Sequence, residues 1–274
     1  KETVKSTSSE SFSFKEMFVE LKTNKMMLII FLTYILGFAR TMALGIIVQA
    51  GGALVGKVYF PGLSELFAGG GELDPTSNAT WLIGITGGVV GLIGVVVAPI
   101  VNKKFGEKKT FIGFAVYGGI VSAVSFAAYL FMPEGSPVRS GIGAVIFIWI
   151  IQFFVSFMFS PNNLLPPIMT SDTVDYIEWK TGKRKEGVCF AILSMAIKVS
   201  NALAVAVGIL LIGISGYIDG VEVTVKMQNI VMFAYIAMPG ISTVLSMIPM
   251  FFYKIDEKTK KQMRLDLEKA RTKK

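Results

Sequence analysis

Six stretches of this chain are each long and apolar enough to cross a lipid bilayer: residues 26–55, 81–101, 110–132, 141–168, 188–217 and 229–253. A helix rises about 1.5 Å per residue and the hydrocarbon layer is about 30 Å thick, so about 20 apolar residues make one crossing. No water is present there to satisfy the backbone, which leaves the helix as the form such a run can take. The expectation is an all-α membrane protein with six transmembrane helices. Several stretches exceed the minimum length, so tilted or broken ends are expected. Just ahead of the first, the alternation of Phe12, Phe14, Met17, Phe18 and Leu21 with Lys15, Glu16 and Glu20 predicts a short amphipathic helix on the membrane surface.

The charge supports a membrane reading rather than a nucleic-acid one. The net charge is +8, but only 17% of residues are charged, against about 25% in a typical soluble domain. Of the 27 Lys and Arg residues, 22 fall in segments 1–25, 102–109, 170–187 and 254–274. These segments share one side if the N-terminus is cytoplasmic. The opposite side receives only Lys57, Arg139 and Lys226. Such asymmetry is the signature of topology, and it places both termini in the cytoplasm. The single Cys189 excludes an intrachain disulfide, and the absence of His removes imidazole catalysis and imidazole metal sites. The expectation is not an enzyme, with no metal site and no organic cofactor. Asn78-Ala-Thr80 fits a glycosylation sequon, but it abuts Trp81 at the membrane face and reads as chance.

Polar residues inside the apolar stretches point to function. Lys198 lies about 16 Å into its helix at 1.5 Å per residue, too deep to reach the surface easily. Ser194, Lys198 and Asn201 share one helical face, and Gln152, Ser156, Ser160 and Asn163 share another. The first stretch adds Thr33, Arg40 and Thr41. A cation at bilayer depth costs about 2.5–3.5 kcal/mol and commonly faces a partner or cavity. No Asp or Glu falls in any of the six stretches, so Lys198 and Arg40 have no counter-ion there. Their partners are expected to be an anionic substrate, a carboxylate on another chain segment, or a water-filled cavity. Arg40, Gln152, Asn163 and Asn201 are candidate substrate contacts on this ground. Glycines 84, 87, 88, 91 and 94 predict close helix packing in the second stretch. Pro161, Pro166 and Pro167 are expected to break the end of the fourth.

A dense charged run links the fourth and fifth stretches. Its Asp172-Thr-Val-Asp-Tyr176, Glu178-Trp-Lys-Thr-Gly182 and Arg184-x-Glu186-Gly187, with Lys198 twelve residues after Glu186, resemble the glycoside–pentoside–hexuronide:cation symporters, a group within the major facilitator superfamily that includes melibiose permease. Ile177 stands where that family usually has glycine. The turn Asn102-Lys-Lys-Phe-Gly-Glu-Lys-Lys109 resembles the basic cytoplasmic turn between the second and third helices of each half of that fold.

The resemblance implies the C-terminal half of a twelve-helix transporter. Residues 1–25 would end the cytoplasmic linker, 26–253 would form the six-helix half, and 254–274 a cytoplasmic basic tail. It implies symport of a sugar or glycoside with Na+ or H+ in the cell membrane, the other six-helix half being a further partner and nucleic acid none. Lys198 corresponds to the lysine of the cation site, and Ser194 and Ile197 to positions near the sugar. Asp172, Asp175, Arg184 and Glu186 correspond to a charged cytoplasmic gate. The rival expectation is a membrane sensor or a subunit of a membrane complex that transports nothing.

Overall fold

The structure, a computed structural model, describes residues 14–56 and 75–272, with no β-strand among them. Helix α1 (Phe14–Thr23) buries Met17 and Leu21 and leaves Phe18 and Val19 exposed. Asn24 separates it from α2 (Lys25–Leu36), accepting from the Met26 and Met27 N–H groups at 3.0 and 3.3 Å. An N-cap of this kind supplies an acceptor to donors that have no partner within the helix. The long helices are α5 (Pro75–Phe105), α6 (Glu107–Leu130), α7 (Gly141–Thr181) and α8 (Glu186–Ser215), with α9 over Val225–Met250. A polar helix, α10 (Glu257–Thr272), closes the described chain. Among the described residues, α6, α7, α8 and α9 are each long and apolar enough to cross a membrane.

The first apolar stretch is not one helix. After α2 come a 3-10 turn (Phe38–Thr41), two short turns, α3 (Met42–Gly45) and α4 (Ile47–Ala50), and a π turn (Gly51–Val55). The axis bends by 48° at Gly37. A break in lipid leaves carbonyls that need donors. Side chains from distant helices supply them: Ser200 donates to the Tyr34 carbonyl at 2.9 Å, and Ser242 donates to Leu36 at 2.8 Å while accepting from the Ala39 N–H at 3.0 Å.

The three prolines of the fourth stretch do not end it either. Helix α7 runs for 41 residues through Pro161, Pro166 and Pro167 and takes in most of the charged segment expected to be a loop. It stops at Gly182, whose φ of 71° suits a residue without Cβ and whose N–H returns to Glu178 at 2.8 Å. Only 182–185 separate it from α8.

Helix α5 packs along α7, α6 packs against α7 and α9, and α2 is held between α8 and α9. Among the described residues, close glycine contacts also occur on other helices. Cβ atoms on Gly118 of α6 or Gly240 of α9 would overlap Met158 and Ser122 respectively, whereas one on Gly91 of α5 would meet open space. A Cβ on Gly84 would come within 3.3 Å of Ile47; the surroundings of 87 and 88 lie outside the described residues. Asn78 of the sequon falls in the first turn of α5. At the opposite end from the basic turn, Arg139 is buried and donates to the Met132 and Tyr129 carbonyls and to Asn229 Oδ1, at 2.9 to 3.0 Å.

Candidate functional site

Arg40 is 4% exposed, inside the bend of the first stretch. Its Nε donates to the Gly37 carbonyl at 3.1 Å, Nη2 to Thr33 at 3.4 Å and Nη1 to Asn162 at 3.1 Å. Two of these carbonyls belong to the C-terminal end of α2, where a cation meets the negative end of the helix dipole. The third has a particular origin. In an α-helix the Asn162 carbonyl would accept from the N–H of residue 166, but residue 166 is proline. The guanidinium takes the place of the missing N–H and pins the broken α2 to the proline-rich part of α7. The Tyr34 ring lies 5.5 Å from the guanidinium carbon and adds a cation–π contact. Backbone carbonyls thus compensate much of the Arg40 charge, acceptors that the sequence did not announce.

Arg40 also lines a cavity of about 200 Å³, together with Thr41, Gln152, Ser156, Asn163 and Tyr235. Gln152 donates to the Tyr235 hydroxyl, which couples α7 to α9 inside the wall. Amide and hydroxyl groups of this kind can donate to and accept from a polyhydroxylated ligand. The cavity thus unites three residues expected at the substrate site: Arg40, Gln152 and Asn163. The Ser160 side chain lies outside the described residues. Tyr235 was not legible from sequence, being a lone tyrosine in an apolar run. It sits in a π turn (Phe233–Ala237), a local widening of the helix that often accompanies functional sites.

The α8 residues form a separate, adjoining surface. Ser194, Lys198 and Asn201 are all exposed, and Ile197 is half-buried. Thr41 donates to Asn201 Oδ1 at 3.0 Å, linking this surface to the cavity. Lys198 has no hydrogen bond or ion pair among the described residues. The amine therefore projects from an otherwise apolar helix away from the packed bundle.

The four gate candidates are all engaged within the chain. Arg184 binds Asp175 at 2.8 Å and Glu178 and Glu186 at 2.9 Å each. Burial opposes its charge, but the three carboxylates prevail and raise its pKa above the ordinary arginine value. Beside it, Lys185 binds Glu20 of α1 at 2.6 Å, so the α7–α8 turn also anchors α1.

Asp172 belongs to a different cluster. It lies 2.6 Å from Lys260 of α10, which also contacts Glu107 at the start of α6. Glu107, Asp172 and Lys260 are 8%, 6% and 5% exposed. Burial alone would lower the Lys260 pKa, but its two carboxylate partners override this and raise it above the ordinary 10.5. The sign follows: a raised base stabilises fully below its unfolded value and loses that contribution only as pH climbs through the folded value. Docking of α10 through Lys260 is thus insensitive to a pH rise from neutrality up to at least that ordinary value. Removing one partner of a buried ion pair costs about 3–5 kcal/mol. Lys260→Met is expected to speed hydrogen exchange of the 257–272 amides by about ten-fold or more. Unchanged exchange would show that α10 is held by other contacts. No sequence spacing announces this cluster, whose members come from three separated segments.

Comparison with known proteins brings these features together. Residues 73–257 match a family model described as MFS/sugar transport protein. A putative sulfoquinovose importer of Salmonella typhimurium is 31% identical over 172 residues, covering 61% of this chain and 33% of the importer. An isoprimeverose transporter of Lactiplantibacillus pentosus is 26% identical over 201 residues, covering 72% of this chain and 38% of the transporter. An uncharacterized 29.9 kDa protein of Pseudescherichia vulneris is 25% identical over 174 residues, covering 63% of this chain and 59% of that protein. The chain therefore spans between about a third and three fifths of the length of these relatives.

Proposed function

The chain belongs to the MFS/sugar transport protein family, and from that premise we propose that it forms the C-terminal six-helix half of a symporter carrying a sugar or glycoside together with Na+ or H+. The relatives named for sulfoquinovose and isoprimeverose support that substrate class. The bent first stretch and α5, a 31-residue helix, join the four long apolar helices to make six crossings. The basic segments then face the cytoplasm, in keeping with the charge asymmetry.

The observation that carries this reading is Lys198, exposed and without a partner among the described residues, on an apolar helix beside a polar cavity. Against lipid it would cost about 2.5–3.5 kcal/mol. Against the other half of the transporter it faces carboxylates, water and substrate. Sugar binds between the halves, with Gln152, Ser156 and Asn163 on this side and Ser194, Ile197 and Asn201 at the edge. Arg40 holds the broken helix and the proline segment in register and presents its remaining N–H groups to the cavity.

Coupling follows from competition for the carboxylates of the other half. Without the cation, Lys198 pairs with them; with the cation bound, that pairing weakens, and the balance between inward-open and outward-open states moves. A ligand shifts such a balance only by its different affinity for the two states. At the inner mouth, Arg184 meets three carboxylates, and the run 172–186 balances four acids against four bases, which suits a charged latch that can exchange these pairs for ones with the opposite half. The test is accumulation of labelled sugars by proteoliposomes of the full-length protein under an imposed Na+ or H+ gradient. Gradient-driven accumulation of at least one sugar is expected. Binding without movement under either gradient would favour a sensor.

A further inference from the structure

A second cavity, of about 590 Å³, opens on the outer surface of the bundle where α5, α6 and α7 meet. Phe105, Phe114, Tyr117, Phe153, Phe154 and Phe157 line it. The Phe153 ring packs edge-on against Phe154 and Phe157, with centroids 5.4 and 5.7 Å apart. Tyr117 donates to the Phe154 carbonyl at 3.1 Å, tying α6 to α7 at the deeper end. The walls are thus apolar along the direction of the helices.

The shallow end is different. Lys109 lines the groove and is exposed, with no ion pair among the described residues. The Lys104 amine lies 5.4 Å from the Phe105 ring centroid, at the same end. The nearby acid Glu107 is already paired with Lys260, and Lys108 is occupied by the Phe251 and Tyr253 carbonyls at 2.7 and 2.9 Å. Lys104 and Lys109 therefore leave uncompensated positive charge at the mouth.

One buried polar group also points to an occupant. Thr33, Thr170, Thr173 and Thr243 each donate to the carbonyl four residues earlier at 2.8 to 2.9 Å. Thr110, which lines the same end of the groove, is 2% exposed and its hydroxyl has no hydrogen-bond partner among the described residues. A buried hydroxyl left unpaired costs about 1–3 kcal/mol. A small turn of the Thr110 side chain toward the groove would let a bound molecule carrying acceptor oxygens relieve it.

We propose that this groove is a specific site for one anionic phospholipid, an acyl chain lying along the aromatic wall and the phosphate region held by Lys104, Lys109 and the Thr110 hydroxyl. The apolar length, the cationic mouth and the hydroxyl donor match the parts of a single lipid in their natural order. Basic residues near a bilayer attract anionic headgroups in the same manner. The site is distinct from the polar cavity around Arg40, and it does not depend on the substrate or coupling proposed for that cavity.

The test uses the full-length protein purified in mild detergent, with palmitoyl-oleoyl phosphatidylglycerol and phosphatidylcholine as probes and native mass spectrometry as readout. The wild type is expected to retain one phosphatidylglycerol in preference to phosphatidylcholine. Gly113 lines the groove, and a Cβ there meets nothing within 4 Å, so Gly113→Leu starts its side chain in open space at the groove and is expected to fill it. That variant is expected to lower the lipid-bound fraction several-fold. Lys104→Gln with Lys109→Gln, both at exposed positions, is expected to abolish the preference for phosphatidylglycerol and serves if Gly113→Leu fails to fold. Equal retention of the two lipids by the wild type, or unchanged retention in a folded variant, would overturn the proposal and reduce the groove to ordinary lipid-facing surface.

Discussion

Lys198→Ala in the full-length protein is expected to lower gradient-driven sugar accumulation by about ten-fold or more, while leaving insertion and thermal stability nearly unchanged. The two halves of this expectation have separate causes. Lys198 has no partner within the described chain, so its removal breaks no contact on which this half depends. Linkage between two ligands is commonly worth about 1–3 kcal/mol, or about 5- to 150-fold in affinity. On the proposed coupling, loss of the amine removes the group through which the cation would act on the balance of states. Exchange of labelled for unlabelled sugar at equal concentrations needs no coupling and is expected to persist. Undiminished accumulation by the alanine variant would detach Lys198 from coupling altogether.

Arg40→Met is expected to act in the opposite manner, on stability first. It leaves the Asn162 carbonyl without a donor in a place water does not reach freely, while the Thr33 and Gly37 carbonyls keep the backbone N–H groups of residues 37 and 40. Each unpaired buried group costs about 1–3 kcal/mol. A loss of about 3 kcal/mol corresponds to a fall of about 6 °C or more in the thermal midpoint. The proline offers a sharper check. Pro166→Ala returns an N–H to the Asn162 carbonyl. The cost of Arg40→Met is therefore expected to be smaller by about 1 kcal/mol when residue 166 is alanine. Equal costs in the two backgrounds would mean that the guanidinium does not stand in for the missing donor.

That pairing shows where sequence reasoning ends. Apolar length located α6, α8 and α9 to within a few residues, because local composition alone decides whether a segment tolerates lipid. It failed at residues 37–55 and at 161–181, and for one reason. Glycine and proline signal a break when only the local backbone is considered. Whether the helix yields depends on donors arriving from elsewhere: Ser200, Ser242 and Arg40 for the first stretch and Arg40 for α7. The donors made a bend affordable at Gly37 and unnecessary at Pro166.

The functional residues divide along the same line. Helical spacing grouped Ser194, Lys198 and Asn201, since three positions on one helix fix a face without tertiary information. It also grouped Gln152 with Asn163, which the cavity brings together with Arg40. Tyr235 and Lys260 carry no such periodic signal. Lys260 meets Glu107 and Asp172 only through the packing of α10 on the ends of α6 and α7. The absence of acids in the apolar stretches tells what Lys198 and Arg40 cannot pair with inside those stretches, not what does compensate them: for Arg40, carbonyls at a helix terminus and before a proline supply acceptors without any acid.

The central claim is that the polar face of α8 borders a water-filled pathway rather than lipid. It is tested most directly by single cysteines at 194, 198 and 201 in the full-length protein, with Cys189 replaced and any other cysteine removed. Leu203 and Leu210 are exposed on the opposite side of α8 and supply the lipid-facing controls. The measurement is the rate of labelling by a membrane-impermeant thiol reagent in intact vesicles, with and without the transported sugar. The account predicts labelling at 194, 198 and 201 at least ten-fold faster than at 203 and 210, slowed by the sugar. Equal, slow labelling at all five positions, unaffected by any sugar, would contradict it.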